Sequence, residues 1–81
     1  MTTAAVLDQL CLELPGARVV DLRRRRWDHA ADELRRQLEQ GLAVDPDPRR
    51  TDFYEASVNG RRFYFHVFRR RAPRVYLLAS W

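Results

Sequence analysis

The chain has 81 residues, a formal net charge of +4, 32% charged and 46% hydrophobic residues, and one cysteine. That length fits a single domain over residues 1–81, and the apolar and aromatic content is too high for a disordered tail. No apolar run approaches the roughly 18 residues that span a bilayer, lone Cys11 excludes an intrachain disulfide framework, and His29 and His66 without a CxxC leave no standard zinc set.

In chain order, residues 3–14 read as a short helix, with Leu7, Leu10, Cys11 and Leu14 on one face and Cys11 therefore buried. Pro15-Gly16 ends it. Residues 17–23 are short, β-branched and turn-bounded, which predicts a strand. The basic run Arg23, Arg24, Arg25, Arg26 follows. A second helix is predicted over about residues 27–41, where Trp27, Ala31, Leu34 and Leu38 form a stripe that Ala30 widens and Gly41 caps. Residues 45–50, with two prolines, read as a linker.

The last thirty or so residues are predicted to be β. Asn59-Gly60 between two alternating runs signals a two-residue hairpin. That turn pairs Val58 with Arg61, Ala56 with Phe63 and Tyr54 with Phe65 on one face. On the other it pairs Ser57 with Arg62, Glu55 with Tyr64 and Phe53 with His66. A third strand over residues 74–81 would place Val75, Leu77 and Ala79 beside Val67, Phe65 and Phe63. The expected fold is α+β: two helices packed on an antiparallel three- or four-stranded sheet with a C-terminal β-meander.

There is no lysine or isoleucine, and Asn59 is the only asparagine. The codons for these residues are AT-rich, so a GC-rich genome accounts for part of the arginine excess. The seven Phe and Tyr residues persist against that bias and carry more weight.

One sheet face, with Tyr54, Ala56, Val58, Phe63, Phe65, Val67, Val75 and Leu77, is expected to pack beneath the helices. The other carries Phe53, Arg62, Tyr64, His66, Phe68, Arg74 and Tyr76, and is too aromatic for a merely solvated surface. Three readings fit it: a base-stacking or phosphate-binding surface, a protein interface, or a face covered by the first helix. Arg23–Arg26 and Arg69, Arg70 and Arg71 could clamp a phosphate backbone or lie on a solvated edge. A pI of 10.2 favours an anionic partner. For catalysis, His66 is the best general acid/base candidate, with Arg62 on the same strand face beyond Tyr64, against the plainer reading of an exposed or structural histidine. No cofactor or metal is expected.

The passage from helix 27–41 through Leu42-Ala43-Val44-Asp45-Pro46 to a strand resembles the "helix, L-x-x-D-P, sheet" passage of the RelE/ParE toxin superfamily. Val58-Asn59-Gly60-Arg61-Arg62-Phe63-Tyr64-Phe65-His66-Val67 resembles that family's V-G-D-x-R-V-x-Y-x-V strand, with Arg62 at the strand arginine and Phe65 replacing the usual tyrosine. The likeness covers residues 17–81. It implies a small cytoplasmic toxin acting on RNA and the ribosome or on a DNA-processing enzyme, held inactive by a cognate antitoxin. The alternative is a non-enzymatic protein-interaction module, such as a phage or mobile-element inhibitor that docks Tyr64, Phe68 and their neighbours on a host protein. Neither reading calls for a membrane.

Overall fold

The computed structural model describes residues 10–24 and 28–81. Among them lie β1 (Leu10–Leu12), β2 (Arg18–Asp21), α1 (Ala30–Gln40), β3 (Leu42–Pro46), β4 (Phe53–Val58), β5 (Arg61–Phe68) and β6 (Arg74–Ser80). The strands form a six-stranded sheet in the order β1-β3-β4-β5-β6-β2. β2 runs parallel to β6, and every other pair is antiparallel. The expected two helices on a three- or four-stranded antiparallel sheet are thus corrected to one helix, among the described residues, on a six-stranded mixed sheet. That helix is too short to cross a membrane.

The extra strands explain the difference. Leu10–Leu12, expected in a helix, pairs with Leu42–Val44 instead. Its residues satisfy two periods at once: Leu10 and Leu14 fit a helical stripe, while Leu10, Leu12 and Leu14 alternate with Cys11 and Glu13. Pairing with β3 selects the alternation, burying Leu12 and turning Cys11 outward. Residues 3–9 of the expected helix lie outside the described residues. In the same way, Leu42 and Val44 point into the core and Ala43 and Asp45 away from it, so the linker expected over 45–50 begins later. Asp45 and Pro46 still pair with Glu55 and Tyr54. Pro46 is tolerated because it closes the strand, where its missing N–H breaks no ladder.

α1 places Ala30, Leu34 and Leu38 at four-residue spacing against the sheet, all with no exposed surface. Asp32 and Glu33 complement the positive end of its dipole. Gly41 ends it at φ 103°, and the Cys11 sulfur lies 3.3 Å from where a Cβ would stand. A side chain at position 41 would therefore be strained and crowded at once. The Leu14 N–H donates to the Leu38 carbonyl (2.8 Å), tying the chain after β1 to the last turn of the helix. Trp27 of the expected stripe lies outside the described residues.

The hairpin has the register that its turn dictates, from Val58 opposite Arg61 to Phe53 opposite His66. Asn59 (φ 52°) and Gly60 (φ 80°) both take the positive φ that a type I′ turn needs. β6 follows the expected register only in part. Val75 faces Val67 and Leu77 faces Phe65, but Leu78 then forms a bulge. Beyond it Ala79 faces Tyr64, and Ser80 rather than Ala79 sits opposite Phe63.

The bulge turns the Ser80 hydroxyl toward the core side, where it is buried without a hydrogen-bond partner among the described residues. An orphaned hydroxyl costs the desolvation that no new bond offsets. Ser80→Ala should therefore leave stability unchanged or raise it by up to about 1 kcal/mol. Thermal melting checks this, and a clear loss would mean that the hydroxyl is satisfied.

Candidate functional site

The face opposite α1 is organised in rows that cross the strands. Residues paired across neighbouring strands share a face, so Phe53 of β4, His66 of β5, Tyr76 of β6 and Val20 of β2 form one row. Its rings are stacked, with Phe53 over His66 at 4.3 Å and 12°, and His66 beside Tyr76 at 6.3 Å and 25°. Tyr64 and Phe68 extend the array from either side along β5, at 5.9 Å from Phe53 and 6.4 Å from His66. Five rings from three strands thus form one platform. All are part-exposed or exposed, since the helix packs on the other side.

The next row holds Phe68, Arg74 and Arg18. It marks the basic end of the sheet, where the 47–52 and 69–73 loops meet the starts of β2 and β6. Seven arginines gather there, namely Arg18, Arg49, Arg50, Arg69, Arg70, Arg71 and Arg74, against Asp47 and Asp52 among the described residues. Two of them lie on rings of the platform: Arg50 is 5.1 Å from the Phe53 centroid and Arg70 is 4.3 Å from that of Phe68. The opposite flank of the same face is acidic, with Asp45 and Glu55 paired on β3 and β4.

The arginines divide by partner. Arg23 bridges Asp21 and Asp28, both at 2.7 Å, and its side chain is only 12% exposed. Arg61 joins the same Asp28 carboxylate. Asp28 also accepts from the Ala30 N–H (3.3 Å), so this cluster fixes the start of α1 to β2 and β5. The Arg23 guanidinium holds the Asp28 carboxyl well below the usual carboxylate range. Arg23, expected from sequence in a phosphate clamp, is thus engaged by the Asp21 and Asp28 carboxylates. Arg24 is exposed, and Arg25 and Arg26 lie outside the described residues.

Arg69, also expected in a clamp, donates to Asp52 (2.9 Å) and to the buried Tyr54 hydroxyl (2.8 Å), pinning β5 to the 47–52 loop. Arg62 donates to Glu55 (2.6 Å) and Ser57 (3.2 Å). The Tyr64 hydroxyl donates to Asp47 (2.5 Å), which draws that carboxyl down and the phenol up in pKa. By contrast Arg18, Arg49, Arg50, Arg70, Arg71 and Arg74 form no salt bridge among the described residues.

Of the residues expected from sequence, Tyr64, His66 and Phe68 do come together on one surface. Arg62 lies on the same face but is engaged by Glu55, and His66 makes no side-chain hydrogen bond among the described residues. Phe53 and Tyr76 complete the row, and Arg18 and Arg74 supply its cations. Alternation already placed Phe53, Tyr76 and Arg74 on this face. Arg18 needed the parallel β2–β6 pairing, which leaves no local mark in the sequence.

Comparison of the chain with protein-family models, with curated proteins and with solved structures returns no match. The chemistry of the face therefore has to carry the functional reading.

Proposed function

We propose that the protein binds single-stranded RNA on its aromatic sheet face, with bases stacked on Phe53, His66 and Tyr76 and phosphates held by the arginines at the basic end. The observation that carries this is the stacked Phe53–His66–Tyr76 row beside Arg18 and Arg74, which form no salt bridge among the described residues. Bases present π-faces that part-exposed rings can accept, and each such stack is worth about 1–3 kcal/mol. Duplex bases are already stacked, so the same platform offers them little. The reading keeps the RNA-directed side of the RelE/ParE resemblance and assigns no cleavage step, because Arg62 is held by Glu55 and His66 by its ring neighbours. Action on messenger or ribosomal RNA, with an antitoxin to occlude the face, is the toxin-like form of this proposal.

Fluorescence anisotropy with a labelled mixed-sequence RNA octamer, alone and annealed to its complement, tests the reading across salt. Single-stranded binding should exceed duplex binding, and its log affinity should fall with log salt by about 0.7 per phosphate contacted. Absent or equal binding of the two forms would overturn it. A salt-insensitive complex with a protein would point to the interaction-module alternative.

A further inference from the structure

Arg18 and Arg74 are Cα partners across the parallel edge of the sheet, so both side chains leave the same face in the same row. Each is exposed, and neither forms a salt bridge among the described residues. Like charges directly opposite one another on neighbouring strands destabilise a sheet. Five guanidiniums, those of Arg23, Arg35, Arg61, Arg62 and Arg69, have carboxylates within ion-pair distance; Arg18 and Arg74 are among the described arginines that do not. Among the described residues no carboxylate pairs with Arg18 or Arg74, and the 69–73 loop beside them adds Arg70 and Arg71. Arg70 is already placed, over the Phe68 ring in the same row.

Adjacent strands stand about 4.8 Å apart, so two guanidiniums in one row can converge on one tetrahedral anion. That row lies two residues along the strands from Phe53–His66–Tyr76, a step of about 7 Å. The offset sets an anion beside the stacking platform and not on it.

We propose that Arg18 and Arg74 form a phosphate subsite that holds one phosphodiester of the bound strand, so that the strand crosses the β-strands along the aromatic row. This deepens the RNA-binding reading and rests on it for the identity of the polymer. The shared chemistry is phosphate, which a nucleic acid or a free phosphate could supply.

The experiment uses the full chain, Arg18→Gln, Arg74→Gln, the double variant, and Arg36→Gln as a control. Arg36 is exposed on α1, on the other side of the sheet, and forms no salt bridge among the described residues. Octamer RNA binding is measured against salt, and melting is measured in phosphate against chloride at equal ionic strength. The expected result is a salt slope smaller by about 0.7 in the double variant, with wild-type slope in Arg36→Gln. Phosphate should raise the melting temperature of wild type and not of the double variant. Equal slopes in wild type and double variant would overturn the subsite while leaving RNA binding intact. Phosphate stabilisation that depends on Arg18 and Arg74, without RNA binding by wild type, would uphold the subsite and overturn the RNA reading. Loss in Arg36→Gln equal to that in the single variants would reduce the effect to general charge and contradict the subsite.

Discussion

Phe65→Ala should destabilise the protein by about 3–5 kcal/mol, the usual result of truncating a fully buried aromatic residue. Phe65 has no exposed surface, faces Tyr54 on β4 and Leu77 on β6, and occupies the middle of the meander. Its ring stands 6.0 Å from that of Tyr54, so its removal opens a void between two strands that cannot close independently. A domain of this size has about 5–10 kcal/mol of stability in total. The variant should therefore be marginal at room temperature and unfolded near 37 °C, as followed by circular dichroism. Wild-type melting would contradict the assignment of the core face.

Asp28→Ala should be the most damaging change among the charged residues, at about 2–3 kcal/mol, because hydrogen bonds to charged partners are the stronger ones. It would take from the largely buried Arg23 guanidinium one of its two carboxylates, leaving Asp21, and release Arg61 and the Ala30 N–H in the same step. The same carboxylate predicts a pH dependence. Its folded pKa is depressed below its unfolded value of about 3.9, so its stabilisation is fully present above that value and drains away as pH falls. Asp47 and Asp52 are lowered by the Tyr64 hydroxyl and by Arg69, and they act with the same sign. Melting temperature should be flat from neutral pH to about pH 5 and fall below about pH 4. Asp28→Asn should flatten that acid limb, and an unchanged limb would mean that the ion pair is not formed.

The hairpin was legible because Asn59-Gly60 sets the turn, and the turn sets the register of a dozen residues on both faces. The helix was legible from its stripe, since Ala30, Leu34 and Leu38 have no alternative strand reading. β1 was not, because Leu10 and Leu14 satisfy a helical period with Cys11 and an alternating one with Leu12, and only pairing with β3 decides between them. β3 was masked by the two prolines that follow Asp45, although Leu42 and Val44 alternate. The Leu78 bulge and the parallel β2–β6 edge depend on contacts distant in sequence. For the site, alternation placed the rings correctly. The roles of the arginines could not be divided by composition: Arg23, Arg62 and Arg69 are matched by aspartate or glutamate, while among the described residues Arg18 and Arg74 are not.

The Phe53–His66–Tyr76 row is the centre of the proposed strand-binding face. Phe53→Ala/Tyr76→Ala removes two rings from the outer face without touching the core beneath α1, so its circular dichroism spectrum should match wild type. Its affinity for the single-stranded octamer should fall by at least about tenfold, with an unchanged salt slope, because stacking is lost and phosphate contacts are kept. Wild-type affinity in this folded double variant would contradict the claim that this face binds the strand.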